Sequence, residues 1–173
     1  MSDVKLSRPN LVVDEIHDGR HQLADRPLAR ESIPYCVVIP EEKIALFTYT
    51  WVNKDSVAGA AMGIWGPGIG DKPIEARLAD RAEPRDMNFD QWQIDGFSMR
   101  QDLRFRHADV RWEKDDVLVD FHYEGFHPPY AYSSHAGGCP PYAADDRIEQ
   151  SGRITGTLKI GGRTININTT GHP

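Results

Sequence analysis

Apolar and polar side chains alternate with a period of two along most of this chain of 173 residues. That period is typical of β-strands, because successive side chains point to opposite faces of a sheet. Residues 43–52 (KIALFTYTWV) show it most clearly, and both of their faces are largely apolar, which predicts packing on each side. Further strands are predicted at 33–39, 56–65, 73–80, 96–111, 117–124, 153–160 and 163–169. Within 96–111 the alternation is expected near Leu103, Phe105 and His107.

The last two strands flank Gly161 and Gly162. A Gly-Gly pair supplies the positive φ angles that a two-residue hairpin turn requires. No helical periodicity is sustained outside residues 10–30. The pattern therefore predicts an all-β protein: an irregular or partly helical lead-in at 1–32, then one antiparallel barrel of about eight strands at 33–173.

Composition narrows the functional classes. The net charge is −6, and 20 basic residues are interspersed with 26 acidic ones, so no basic face for nucleic acid is expected. No run approaches the roughly 18 apolar residues of a membrane span, and the start has no apolar core of signal-peptide type. Cys36 and Cys139 lie far apart in the chain. We expect a cytoplasmic protein with reduced thiols.

Three ionisable residues on one predicted strand form the sharpest catalytic candidate. Asp120, His122 and Glu124 share a face of 117–124, spaced about 6–7 Å apart. In a barrel interior they would transfer protons to an alkene and activate water, whereas on the outside they would form an ordinary solvated surface. The opposite face is the more apolar and the favoured core side; it carries Val117, Val119, Phe121 and Tyr123.

Aromatic residues provide the second candidate site. Phe47, Tyr49, Trp51 and Trp65 lie on predicted strands, where they line a cavity for an apolar ligand or simply fill the core. Aromatic side chains on an outer sheet face would instead indicate carbohydrate binding.

The sequence pattern supports neither phosphate binding nor metal binding. The glycine-rich segment 63–72 departs from the phosphate-binding loop pattern, because Asp71 separates Gly70 from Lys72 and no Ser or Thr follows. The candidate metal ligands contain no tight pair of the kind that zinc sites use; they are His122, His127, His135 and Cys139. The sequence predicts neither a metal nor a cofactor.

Two segments carry a family resemblance. Residues 124–130 (EGFHPPY) and 149–158 (EQSGRITGTL), with 39–41 and 63–65 consistent, resemble the N-terminal barrel of the carotenoid 1,2-hydratase-like (hydroxyneurosporene synthase, AttH-like) superfamily. The resemblance implies a lipocalin-like barrel that usually occurs as one of two in a chain. It also implies hydratase or cyclase chemistry. The long excursion that contains His127 and Tyr130 is expected to cover the barrel mouth and contact ligand.

Two functional classes remain open. The first is a cofactor-independent hydratase, isomerase or cyclase, hence a lyase or isomerase, that acts on a lipophilic terpenoid-like or steroid-like molecule. The second is a non-catalytic barrel that binds an apolar ligand or docks to a partner domain. Because relatives carry a second barrel, we expect an exposed apolar face that a homodimer or a second barrel domain covers.

Overall fold

A computed structural model describes residues 12–84 and 86–173. It contains a ten-stranded antiparallel sheet and a separate two-stranded ribbon. The sheet strands are β1 (Arg30–Ile39), β2 (Ile44–Asn53), β3 (Ala58–Trp65), β4 (Ile74–Ala82), β5 (Trp92–Ile94), β6 (Phe97–Gln101), β7 (His107–Lys114), β8 (Val117–Gly125), β11 (Gly152–Ile160) and β12 (Arg163–His172). The ribbon pairs β9 (Tyr130–Ala131) with β10 (Ile148–Glu149). Within the described residues the chain also forms three short 3₁₀ turns: η1 (Glu15–Asp18), η2 (Pro40–Glu42) and η3 (Tyr132–Ser134).

The sheet curls into a nearly closed barrel. Its strand order is β4-β3-β2-β1-β12-β11-β8-β7-β6-β5, and the last strand, β5, touches both β3 and β4 at the opposite edge. Curling removes most of the edge that an open antiparallel sheet exposes. The predicted all-β, lipocalin-like class is confirmed, with ten sheet strands where about eight were expected. No helix among the described residues is long and apolar enough to cross a membrane.

The barrel interior is filled by its own side chains. Its largest members are under 2% exposed; they are Trp92, Trp112, Tyr35, Phe97, Phe121, Ile44, Leu46, Ile64, Leu78, Ile94, Met99 and Ile154. The Trp92 indole donates to Thr50 Oγ1 at 2.8 Å, and the Thr50 hydroxyl donates to the Gly59 carbonyl at 2.8 Å. Such packing stabilises the fold through apolar burial and leaves this region without an evident ligand chamber.

Two turns bear directly on the predictions. Gly161 and Gly162 have φ angles of 54° and 75°, as the two-residue hairpin requires. The strand predicted through residues 102–106 is wrong, because this segment forms a turn between β6 and β7. Leu103 and Phe105 adopt left-handed φ angles of 56° and 59° there. The Asp102 carboxylate accepts from the backbone N–H groups of residues 104 and 106 and so favours a turn over a strand.

Candidate functional site

The predicted acid–base residues lie on the outer face of β8. Asp120 and His122 keep 49% and 45% of their side-chain surface exposed, and Glu124 is exposed as well. The alternate residues of β8 point inward and are buried; these are Val119, Phe121 and Tyr123. The face that sequence reasoning favoured as the core side is therefore the core side. The three acid–base candidates do not reach the barrel interior.

Side chains of the neighbouring strand β7 contact two of these three groups, His122 and Asp120. His122 Nδ1 lies 2.8 Å from Asp109 Oδ1, and the His122 ring stacks on His107 with centroids 5.5 Å apart. Asp120 accepts from the Arg111 guanidinium. An open cleft of about 550 Å³ lies over β7, β8 and β11; it is lined by Asp109, Arg111, Asp120, His122, Thr157 and Lys159, among others. Glu124 does not line it. We call this surface the polar cleft.

The predicted aromatic residues also face outward. Phe47, Tyr49 and Trp51 occupy alternate positions on β2 and are half-buried, between inward residues that are fully buried. Their rings stack along the strand, with centroids 5.9 Å apart from Phe47 to Tyr49 and 5.4 Å from Tyr49 to Trp51. We call these three residues the aromatic ridge. They do not line a cavity inside the barrel.

The rings of the ridge cover one another. Their interplanar angles are 15° and 28°, so each ring is stacked nearly parallel to its neighbour. Arg77 lies over the Trp51 ring at 5.4 Å and Arg30 over the Tyr49 ring at 6.0 Å. Because sugars stack on exposed ring faces, this arrangement is poorly suited to carbohydrate binding.

Small residues flank the ridge on both sides. Strand pairing places Ser32, Pro34 and Cys36 beside it on β1, and Gly59, Ala61 and Gly63 beside it on β3. The outer face of this part of the sheet therefore has an aromatic row flanked by small residues, across which Arg30 and Arg77 reach toward the rings. Polar residues cover the outer face of β12 instead; these are Thr164, Asn166, Asn168 and Thr170. The outer surface of β12 is thus more polar than that of β2.

Trp65 lies at the end of β3, close to one end of the ridge. Its side chain is 46% exposed, and its ring leans over Gly63, which pairs with Phe47. An open cleft of about 530 Å³ lies beside it and also contacts Pro67, Asp71 and Glu75. Trp65 extends the apolar surface of the ridge toward the adjoining loop.

His127 and Tyr130 lie in the excursion between β8 and β11. The His127 ring donates from Nδ1 to its neighbouring Pro128 carbonyl at 2.7 Å and accepts at Nε2 from the Ser151 N–H at 3.3 Å. Tyr130 is 36% exposed and packs against Tyr132 with centroids 6.0 Å apart. These contacts fold the excursion on itself and onto the start of β11.

A buried polar cluster at one end of the barrel was not anticipated from the sequence. Asp18 is 6% exposed, and Gln101 Nε2 donates to it at 3.2 Å. Tyr123 donates to Gln150 Oε1 at 3.1 Å, and the buried Tyr35 ring packs against Tyr123. Burial raises the pKa of Asp18 to about 6, and burial likewise raises the pKa values of Tyr35 and Tyr123 well above their usual range. The position of Asp18 in an aperiodic lead-in provided no signal for its burial.

No group of three or more His, Cys, Asp or Glu side chains suited to a metal occurs within residues 12–84 and 86–173. Cys36 and Cys139 are free thiols.

Comparison with known proteins places the chain in a family and supports its fold. A family model described as a domain of unknown function (DUF7064) matches residues 14–173. The barrel is similar to the crystal structure of a "putative AttH" from Nitrosomonas europaea, with a TM-score of 0.67 and 15% sequence identity. The match covers 97% of this chain and 56% of that one, so this chain spans little more than half of that protein's length. No curated protein matches.

Proposed function

Because the chain belongs to the DUF7064 family and its barrel interior is filled, we propose that it functions as a docking domain. Its aromatic ridge binds the outer face of a second β-barrel domain, and a lipophilic terpenoid-like or steroid-like molecule binds between the two. The observation that carries this proposal is the position of Phe47, Tyr49 and Trp51. They lie half-buried on the outer face of β2, whereas the side chains inside the barrel are almost fully buried.

The shape of the ridge favours another sheet as its partner. A stacked row of aromatic side chains flanked by small residues can pack against the side chains of a facing sheet, as the two sheets of a β-sandwich do. Each ring is already half-buried, so burial of its remaining surface contributes on the order of 1 kcal/mol to such an interface. Neighbouring rings and two arginines cover ring faces, so the same surface is less suited to a sugar.

The length of the related structure supports a second domain. Nearly half of the AttH chain from Nitrosomonas europaea lies outside its match with this barrel. That remainder is of a size that accommodates another barrel. At 15% identity the likeness concerns the fold, and the partner is our proposal.

We expect the isolated chain to associate with itself, because a second copy takes the place of the partner domain. Replacement of two ridge residues in the variant Tyr49→Thr/Trp51→Thr removes most of the apolar crest and keeps residues that favour β-strands. The dimer should weaken at least tenfold. Sedimentation velocity over about two decades of protein concentration measures this change, because association follows mass action.

The matched control is Phe126→Thr/Tyr142→Thr, which removes two exposed aromatic residues outside the ridge. This control should associate as tightly as the wild-type chain. A wild-type chain that stays monomeric at every concentration, or a ridge variant that dimerises unchanged, would contradict docking through the ridge. Tryptophan fluorescence during titration with a steroid and a terpenoid tests the ligand separately.

The polar cleft supports a second candidate, acid–base catalysis. The His122–Asp109 contact of 2.8 Å resembles the pairing that orients a catalytic imidazole, and Asp120 lies two residues away on the same face. In this interpretation a partner domain covers the cleft and excludes water. His122 and Asp120 then exchange protons with a lipophilic alkene, and Glu124 adds negative charge at the rim.

This candidate predicts solvent-derived hydrogen in a product. When the chain is incubated with a terpenoid alkene in D₂O, mass spectrometry should detect deuterium incorporation or hydration. His122→Asn should lower its rate by at least a hundredfold, as expected for loss of a general acid or base. His172→Asn, an exposed histidine on the outer face of β12, should leave the rate unchanged. A turnover that survives in His122→Asn would exclude this role.

A further inference from the structure

The residues that precede β1 pack against the loops on either side of β5 and β6. We call residues 12–21 the strap. Arg20 donates from its backbone N–H to Asn88 at 2.8 Å and from its guanidinium to the Met87 carbonyl at 2.8 Å. The same guanidinium lies 5.6 Å from the ring centre of the buried Trp92. The strap is therefore held directly against the barrel core.

Asp18 is the most deeply buried polar contact of the strap. One carboxylate oxygen accepts from the Phe105 N–H at 2.9 Å, and the other accepts from Gln101 Nε2 at 3.2 Å. Phe105 lies in the turn between β6 and β7, where it and Leu103 have left-handed φ angles. A left-handed conformation is unfavourable for such side chains, so the hydrogen bonds to Asp18 and Asp102 help hold it.

The charged groups with the largest effect on Asp18 disfavour its ionised form. Asp102 and Glu15 are the acidic groups that face it, and the buried Tyr35 and Tyr123 hydroxyls lie on the barrel side. No Lys, Arg or His side chain among the described residues forms an ion pair with it. Only hydrogen bonds from the backbone of the 102–106 turn and from Gln101 favour the negative charge.

We propose that Asp18 is a proton-linked lock, which holds the strap closed more tightly when its carboxyl is protonated and loosens it when the carboxyl ionises. Within the part of the chain that the structure describes, Gln101 Oε1 is buried without a hydrogen-bond partner, although the amide of this residue also contacts the Tyr35 hydroxyl. Rotation of this amide by half a turn presents Oε1 to a protonated Asp18, whose O–H then donates to it. The protonated state therefore exchanges the Gln101 Nε2 bond for a bond in the opposite direction and carries no uncompensated buried charge.

The direction of the pH effect follows from the raised pKa of Asp18, which lies near 6 in the closed strap and near 3.8 when the group is solvated. The lock is strongest below pH 3.8 and weakens as the pH rises toward 6. Above that value its contribution changes little, because the carboxyl is ionised in both states. The opening equilibrium should rise on the order of a hundredfold across this window.

Hydrogen exchange of the full chain tests the lock. After correction for intrinsic rates, exchange of the Phe105 amide and the strap amides should rise from pH 4 to pH 6.5 and then level off. Asp18→Asn should remove this dependence, because its amide reproduces the neutral acid and can donate to Gln101 Oε1. At pH 7 the variant should open less often than the wild type.

Asp14→Asn is the matched control. Asp14 is an exposed carboxylate of the same strap that caps η1, and Asn caps equally well, so the wild-type pH profile should persist. NMR titration of the Asp18 carboxyl carbon in the unmodified chain tests the lock even if the variant misfolds. A midpoint near 4, or an Asp18→Asn profile that follows the wild type, would overturn the proposal. The outcome is independent of docking through the ridge.

Discussion

Replacement of Gly156 by Ala should lower the free energy of unfolding by about 3 kcal/mol. Gly156 on β11 pairs with Phe121 on β8. A Cβ atom at this position would lie 2.1 Å from the Asp120 carbonyl oxygen and 2.6 Å from the Phe121 Cα. Both contacts are with backbone, which cannot rotate away as a long side chain does, so the two strands must separate.

Urea unfolding provides the measurement. The midpoint should fall with little change in slope, and Tm should fall by roughly 6–12 °C for a domain of this size. Gly161→Ala is the control, because its Cβ meets no atom within 4 Å. Its φ of 54° imposes only a conformational cost, of about 1 kcal/mol. Equal losses at the two glycines would show that crowding between β8 and β11 is not the cause.

This substitution also connects the fold to the polar cleft. Gly156 lines that cleft, and the carbonyl it approaches belongs to Asp120. Separation of β8 from β11 would displace Asp120 and, two residues on, His122. Any proton transfer at the cleft should therefore weaken in Gly156→Ala even at temperatures where the variant remains folded.

Periodicity predicted most of the sheet because it is a local property. On β8, apolar residues at alternate positions identified the inward face, and Val119, Phe121 and Tyr123 are indeed buried. On β2 both faces looked apolar, and the small residues of β1 and β3 that flank its outer side become visible only through strand pairing. The local sequence could therefore not decide whether Phe47, Tyr49 and Trp51 line a chamber or form a ridge, because the answer depends on tertiary structure.

The turn at 102–106 shows how a local pattern can mislead. Leu103 and Phe105 alternate with arginines as they would in a strand, but the Asp102 carboxylate binds the backbone N–H groups that a strand would pair. An Asp residue at the start of a charged segment is a recognised turn signal, so the turn at 102–106 could have been predicted from the sequence. The burial of Asp18 could not be predicted from the sequence, because its partner Gln101 lies 83 residues away along the chain.

Substitution of Trp92 should be among the most destabilising changes in the core. Trp92→Ala should lower the free energy of unfolding by about 3–5 kcal/mol. Its side chain is 1% exposed and packs edge-on against Phe89, with centroids 5.2 Å apart. Its indole N–H donates to Thr50 Oγ1 at 2.8 Å. Removal leaves a cavity and takes away the ring over which Arg20 of the strap lies.

The two buried tryptophans form a matched pair that separates the hydrogen bond from the packing. Trp112 is fully buried as well, but its indole nitrogen has no hydrogen-bond partner among the described residues. Trp92→Phe loses a buried hydrogen bond, whereas Trp112→Phe removes an unsatisfied donor. We therefore expect Trp92→Phe to be the more destabilising by about 1–2 kcal/mol. Equal urea midpoints for the two variants would mean that the Trp92–Thr50 bond adds nothing to stability. The cost of Trp92→Ala would then reflect packing alone.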